Sequence, residues 1–378
     1  MALNKRPKIL SVFGTRPEAI KMAPVVKALA AHQDGQAFES LVCVTGQHRH
    51  LLDQVLQLFE IVPQADLNIM KPNQDLTQIT TAVLLGMKDA LAELQPDMVL
   101  VHGDTTTAMA ATLAAFYARV PVGHVEAGLR TFNLAYPFPE EMNRLVVDQL
   151  ATLCFAPTPQ PREFLLQSGI PAAGIHVTGN TVIDALLYTL AHSKADLPVP
   201  LAPNQRMLLV TAHRRENFGT PLLEICAGLK ALVEKFEDVV LVYPVHPNPN
   251  VKGPVEAHLG GHPRIHLIEP QEYEPFCKLM DASTLILTDS GGVQEEAPSL
   301  GKPVLVLRDE TERPEAVKLG LVDLVGPHTD RIVARASELL TDSAAYARMA
   351  AGKEAGGNPY GDGQASTRIA EILSGWFR

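Results

Sequence analysis

The run Leu285-Ile286-Leu287-Thr288-Asp289-Ser290-Gly291-Gly292-Val293-Gln294-Glu295-Glu296-Ala297 decides how the rest of the chain is read. Its aliphatic start predicts a buried strand, and Asp-Ser-Gly-Gly ahead of a charged stretch predicts that a helix begins at once. A strand that passes into a helix through residues with little side chain is the repeating unit of a parallel α/β sheet. Such a turn presents backbone N–H groups at the positive end of a helix, which suits an anion. The same residues would serve as an Asp/Ser cap with two glycines for a tight turn. Ser290, Gly291 and Gly292 are therefore candidate phosphate contacts, and Glu296, one turn into the helix, is placed to accept hydrogen bonds from ribose hydroxyls.

Outward from this run the rhythm repeats. Strands are expected at Met207–Thr211, Val239–Tyr243, Arg264–Ile268 and Val304–Leu307, and in the first half at Ile9–Phe13, Leu41–Thr45, Met98–His102, Val122–Val125 and Cys154–Ala156. Those of the first half each precede apolar residues at helical spacing. The Pro-rich stretch Leu197–Asn204 separates two halves of similar architecture but without close sequence repeat. The expected fold class is α/β, two Rossmann-like doubly wound domains with the ligand site in the cleft between them. The expected boundaries are residues 1–190, residues 191–364, and a last helix, 365–378.

The composition agrees. With 378 residues, 46% hydrophobic and 20% charged, the chain is too long for one small module and too apolar for disorder. A formal charge of −10 argues against broad binding to nucleic acid or anionic membrane, so any phosphate must meet a local site. No apolar stretch reaches the length needed to span a bilayer. The four cysteines, Cys43, Cys154, Cys226 and Cys277, lack both the density of a secreted scaffold and a CxxC pair, and read as reduced, buried thiols of a cytoplasmic protein. Neither GxGxxG nor GxxxxGK[ST] occurs, so a nicotinamide cofactor and a Walker loop lack support. No cofactor and no metal are expected.

The other candidates follow predicted strands. Phe13-Gly14-Thr15-Arg16-Pro17-Glu18 puts Arg16 between a turn glycine and a helix-starting proline, with Lys21 one turn on. Asp104 in His102–Thr107 reads as an acid in the crevice or as a helix cap. Glu126, directly after an apolar strand, is set to be partly desolvated, which raises a carboxyl pKa and suits acid–base work. Of Glu140 and Glu141, at most one need face inward. In the second half His213 is a candidate for diphosphate or proton handling, with a backbone-satisfied imidazole as the alternative. His246 lies in the rigid loop Pro244–Pro249, and Arg313, before Pro314, would reach an anion unless its charged loop is a solvated turn.

Taken together, GTRPEAIKMAP (14–24), TGQHRHLLDQVL (45–56), HGDTTT (102–107), HVEAGLRT (124–131), PFPEEMNR (137–144), HRREN (213–217), EPQEYEPF (269–276), TDSGGVQEEAPSLGKPVL (288–305) and RDETERPEA (308–316) resemble the non-hydrolysing UDP-N-acetylglucosamine 2-epimerases across nearly the whole chain. The resemblance implies a glycosyltransferase-B-like architecture whose last helix returns to the first domain. It implies interconversion of UDP-N-acetylglucosamine and UDP-N-acetylmannosamine without an oxidising cofactor, by elimination of UDP to 2-acetamidoglucal and re-addition. It also implies acid–base roles for Asp104, Glu126 and Glu140, with Arg16, Lys21, His213 and Arg313 around the diphosphate. Ser290, Gly291 and Gly292 would form the phosphate nest, Glu296 would take the ribose, and Gln271 with Phe276 would border the uracil. Gln47 and His246 match the positions where regulated relatives bind a second, activating UDP-N-acetylglucosamine. His50 and the Lys71-Pro72-Asn73 segment depart from that pattern. The partners so implied are a UDP-sugar and a second copy of the chain, with neither nucleic acid nor membrane. The alternatives are a hydrolysing epimerase, a glycosyltransferase sharing the cleft, and a non-catalytic UDP-sugar sensor.

Overall fold

The computed structural model describes residues 6–46, 49–71, 73–353 and 357–378. The chain forms two compact units, one built from the chain up to Tyr188 together with Tyr360–Arg378, the other from Thr189–Pro359. Among the described residues, unit 1 holds seven strands: β1 (Lys8–Phe13), β2 (Glu39–Val44), β3 (Ala65–Asp66), β4 (Met98–His102), β5 (Val122–Val125), β6 (Leu153–Ala156) and β7 (Ile175–Val177). They form one parallel sheet in the order β3-β2-β1-β4-β5-β6-β7. Unit 2 holds β8 (Arg206–Thr211), β9 (Val239–Pro244), β10 (Ile265–Ile268), β11 (Leu285–Thr288), β12 (Val304–Val306) and β13 (Val322–Leu324), again parallel, in the order β10-β9-β8-β11-β12-β13. This is the expected α/β class with two doubly wound units.

Both sheets are buried on two faces, which is why their central strands read as continuous aliphatic runs rather than alternating ones. In unit 2, Leu208, Val210, Leu285 and Leu287 pack with Ile225, Leu229 and Leu232 of the helix Thr220–Lys235. In unit 1, Leu10, Val12, Val99 and Val101 pack with Val83 and Met87 of the helix Leu76–Leu94 and Ala111 of the helix Thr106–Tyr117. Full burial of each such aliphatic side chain is worth about 1.5–3 kcal/mol. The four cysteines are buried and unpaired with one another, and burial pushes the Cys226 thiol up to about 11. Among the described residues no helix is long and apolar enough to cross a membrane.

The strand order reverses between β1 and β4 in unit 1, and between β8 and β11 in unit 2. At such a switch point the two connections leave the sheet in opposite directions and open a crevice beyond the carboxyl ends of the strands. These two places position the site residues.

Candidate active site

In unit 1 the chain leaves β1 through Gly14 and Thr15 into the helix Arg16–Gly35. A Cβ on Gly14 would stand 2.0 Å from Thr45 Oγ1, so only glycine fits the turn. Glu18 folds back into the same turn. Its carboxylate accepts from the backbone N–H groups of Gly14 (3.1 Å) and Thr15 (2.7 Å) and from the Thr105 hydroxyl (2.6 Å), which ties the β1 turn to the β4 turn. Burial pushes the Glu18 pKa up, against the pull of these hydrogen bonds. Arg16, at the first helical position, is half-buried.

Glu126 sits immediately after β5 with φ +64°, a left-handed conformation that is uncommon and strained for a residue with a side chain. Its flanks hold it there. Gly103 N–H donates to the Val125 carbonyl (2.9 Å), and Ala127 N–H donates to the Phe155 carbonyl (3.1 Å). The Glu126 carboxylate accepts from Lys21 Nζ and from Asn180 Nδ2 (2.8 Å), with its side chain 11% exposed. His102, the last residue of β4, brings Nε2 to 3.8 Å of the same carboxylate oxygen. That nitrogen has no hydrogen-bond partner among the described residues. Burial pushes His102 down to about 3, the Glu126 charge opposing, so the imidazole is neutral at physiological pH.

Asn180 is itself fixed at three points. Its Oδ1 accepts from Val182 N–H (3.1 Å), its Nδ2 donates to Glu126, and its own N–H donates to the carbonyl of Tyr360 (2.6 Å) in the returning segment. A second tie lies close by, where Asp184 accepts from the N–H groups of Ala365 (3.2 Å) and Ser366 (2.7 Å) at the start of the helix Ala365–Trp376.

Asp104 is held by Arg144, whose Nη2 lies 2.5 Å from Oδ2, while Asn143 Nδ2 donates to the Asp104 carbonyl (2.8 Å). Thr105, not Asp104, caps the helix Thr106–Tyr117, accepting from Ala108 N–H (3.0 Å). At the start of the helix Glu140–Leu150 the two glutamates part company. Glu141 is fully buried, paired with Arg130 Nε (2.8 Å), and accepts from the N–H groups of Thr131 and Phe132 (3.0 Å each). Burial works to raise its pKa, but these donors and the Arg130 charge outweigh it and hold the carboxyl below the usual range. Glu140 is half-buried. His124, in the middle of β5, spans Asp148 Oδ1 (2.7 Å) and the Gly103 carbonyl (2.8 Å) and so props the β4 turn from beneath.

In unit 2 the arrangement after β8 and β11 differs. Asp289 is fully buried and accepts through Oδ2 from the N–H groups of His213 (2.8 Å) and Arg214 (2.7 Å) and from Asn217 Nδ2 (3.0 Å). Its Oδ1 lies 3.5 Å from His213 Nδ1. His213 stacks on His246, ring centroids 5.5 Å apart, and burial lowers its pKa against the opposing pull of Asp289. Ser290 precedes the helix Gly291–Glu296, and the Arg313 guanidinium stands 3.7 Å from where a Gly291 Cβ would be. Arg313 pairs with buried Glu295. Glu296 accepts from Tyr273 Oη (3.0 Å). Gln271 Nε2 donates to the Glu269 carbonyl (2.7 Å), and Phe276 N–H donates to the Glu272 carbonyl (3.0 Å) in the first turn of the helix Tyr273–Ala282.

Of the residues singled out from sequence, unit 1 thus brings together Lys21 and Glu126, with Asp104 and Arg16 on the adjoining turns. Unit 2 brings together His213 with His246, and the Ser290–Gly292 turn with Arg313 and Glu296. Gln47 lies outside the described residues.

Residues 30–374 match the model of the family described as UDP-N-acetylglucosamine 2-epimerase. The chain belongs to that family. It is 56% identical to the UDP-N-acetylglucosamine 2-epimerase of Escherichia coli K12 over 375 residues, covering 97% of this chain and 98% of that one. The fold is similar to the crystal structure of the Neisseria meningitidis UDP-GlcNAc 2-epimerase bound to UDP-GlcNAc, with TM-score 0.84, 50% identity, and 97% and 99% of the two chains covered. It is also similar to the Methanocaldococcus jannaschii UDP-GlcNAc 2-epimerase in complex with UDP-GlcNAc and UDP, with TM-score 0.74, 32% identity and the same coverage. Around the candidate residues of this epimerase-family chain stand four that the sequence alone did not disclose: Glu18, His102, Asn180 and Asp289. Glu18 carries a readable signal, the Thr15-x-x-Glu18 spacing of a capping box. Asn180 and His102 act over long sequence separations and carry none.

Proposed function

We propose that this chain interconverts UDP-N-acetylglucosamine and UDP-N-acetylmannosamine by eliminating UDP across C1 and C2 and adding it back to 2-acetamidoglucal, without net hydrolysis. The observation that carries the reading is Glu126, an acid held in a strained backbone conformation one strand beyond a switch point, with an ammonium from the helix after β1 and an amide on one of its oxygens. The C2 hydrogen of a pyranose is not acidified by a ring carbonyl, so departure of UDP must build positive character at C1 before a carboxylate can take that proton. Inversion then needs a proton delivered to the opposite face, which is why more than one carboxylate is required. Glu126 and Asp104, with Glu140, supply the acid and the base. Arg16, Lys21, His213 and Arg313 stabilise the charge that grows on the leaving diphosphate. Ser290, Gly291 and Gly292 hold its oxygens through backbone N–H groups, Glu296 takes the ribose, and Gln271 and Phe276 border the uracil. Gln47 and His246 would contact a second, activating sugar nucleotide, and the working enzyme would be a homodimer.

The deciding experiment is turnover of UDP-N-acetylglucosamine in deuterated water followed by NMR. The expected products are UDP-N-acetylmannosamine carrying deuterium at C2, with traces of UDP and 2-acetamidoglucal. Product without solvent deuterium overturns the exchangeable acid–base pair. Stoichiometric free N-acetylmannosamine with UDP would mean a hydrolysing enzyme, and a shifted melting temperature without turnover would mean a sensor.

A further inference from the structure

Glu126 has neighbours from three elements, and they are not alike. Lys21, on the helix Arg16–Gly35, carries a charge and favours the ionised carboxylate. Asn180 donates through Nδ2 while its Oδ1 accepts from Val182 N–H, so its amide orientation is fixed and it too serves the ionised form. His102 is 4% exposed, and its Nε2 faces the same oxygen of Glu126 at 3.8 Å with no hydrogen-bond partner among the described residues. An unpartnered buried nitrogen is destabilising, so its retention calls for a reason. Behind it lie His124 and Asp148, already engaged with each other and with the Gly103 carbonyl.

We propose that His102 is a positioning residue that holds the Glu126 side chain in place when its carboxyl carries a proton. A neutral imidazole can present Nε2 as a donor or as an acceptor by exchanging tautomers, which neither Lys21 nor Asn180 can do. Ionised Glu126 is held by Lys21 and Asn180. Once protonated it loses most of its attraction to both, and its O–H then donates to the bare Nε2 of His102 after a side-chain shift of about 1 Å. The side chain is thus anchored in both protonation states: the proton rests toward His102 and leaves for the substrate when the O–H turns back, and no proton passes to the imidazole. The inference rests on the epimerase reading above.

The test compares His102→Gln, whose amide reaches the place of Nε2, with His102→Asn, whose amide stops short of it. Both are assayed for UDP-N-acetylglucosamine turnover across pH, with melting temperatures recorded. The expected result is a kcat loss of about 10- to 100-fold in His102→Asn with KM within about threefold, and recovery of most of the rate in His102→Gln. Equal rates in the unaltered protein and both variants, or equal losses in both variants, overturn the role of His102. Absence of turnover in the unaltered protein overturns the underlying activity. A second measurement needs no variant of His102: imidazole ¹⁵N spectra of the unaltered protein, without and with saturating UDP-N-acetylglucosamine, should show the His102 Nε2 resonance move, and the movement should vanish in Glu126→Ala. A resonance unmoved by substrate, or moved equally in Glu126→Ala, overturns the proposal.

Discussion

Two switch points with the same strand order stand in one chain, and each is closed by a buried carboxylate that gathers N–H groups from the turn after the first central strand. In unit 1 it is Glu18, which accepts from the N–H groups of Gly14 and Thr15 and also from the Thr105 hydroxyl after β4; in unit 2 it is Asp289, which accepts from the N–H groups of His213 and Arg214 and also from Asn217 Nδ2. Each unit also has a hydroxyl pair, but at a different place: Thr45, after β2, with Thr107 of the helix after β4 in unit 1, and Thr211 with Thr288, facing each other at the ends of β8 and β11, in unit 2. What differs is the next layer. Unit 1 surrounds its crevice with ionisable side chains that engage one another, Lys21 with Glu126 and Arg144 with Asp104. Unit 2 presents a side-chain-poor turn at Ser290–Gly292, with Arg313 and His213 nearby. One topology supplies both places, and the loop residues decide which side chains stand there.

The largest expected effect sets the two apart directly. Glu126→Gln should lower kcat by about 10³-fold while leaving UDP affinity within about twofold, read by turnover and by calorimetry. A comparable loss of UDP affinity would erase the division of labour. Asp289→Ala should do the reverse, weakening UDP binding and costing about 3 kcal/mol of stability, because three donors lose their acceptor. A denaturant melt would check the second figure.

Smaller effects sharpen the comparison from within unit 1. Gly14→Ala should destabilise by about 1–3 kcal/mol through collision with the Thr45 hydroxyl. Thr45→Ala in the same chain should restore a good part of it, and a double-mutant cycle measures the coupling. Glu141→Gln tests a purely structural acid. Because the Glu141 carboxyl is held below the usual range, its ionised form contributes stability that is complete above the unfolded pKa and is lost as pH falls through the folded value. The variant's deficit of about 1–2 kcal/mol at pH 7 should therefore shrink on acidification below about pH 4, followed by melts across that range. A deficit constant with pH would show that the side chain matters for packing alone.

The central strands were legible in the sequence because strands buried on both faces leave aliphatic runs, and the last helix because its apolar positions recur at helical spacing. The short edge strands Ala65–Asp66, Ile175–Val177 and Val322–Leu324 were not, since two or three residues with a polar member show no period. Strand-end acids such as Glu126 stood out by position alone. The groups that aim them did not. Asn180 and His102 reach Glu126 from 54 and 24 residues away along the chain, and Glu141 resembled Glu140 until its burial against Arg130 told them apart.

The passage of the chain through the second unit and back has a bearing on manufacture. A ribosome delivers the complete second sheet before Tyr360 emerges, so the first lobe must wait, apolar faces partly uncovered, for its closing helix. The carbonyl that steadies Asn180, and through it Glu126, is translated after the whole of the second sheet. The surroundings of Glu126 are therefore completed only after the whole of the second sheet has been synthesised.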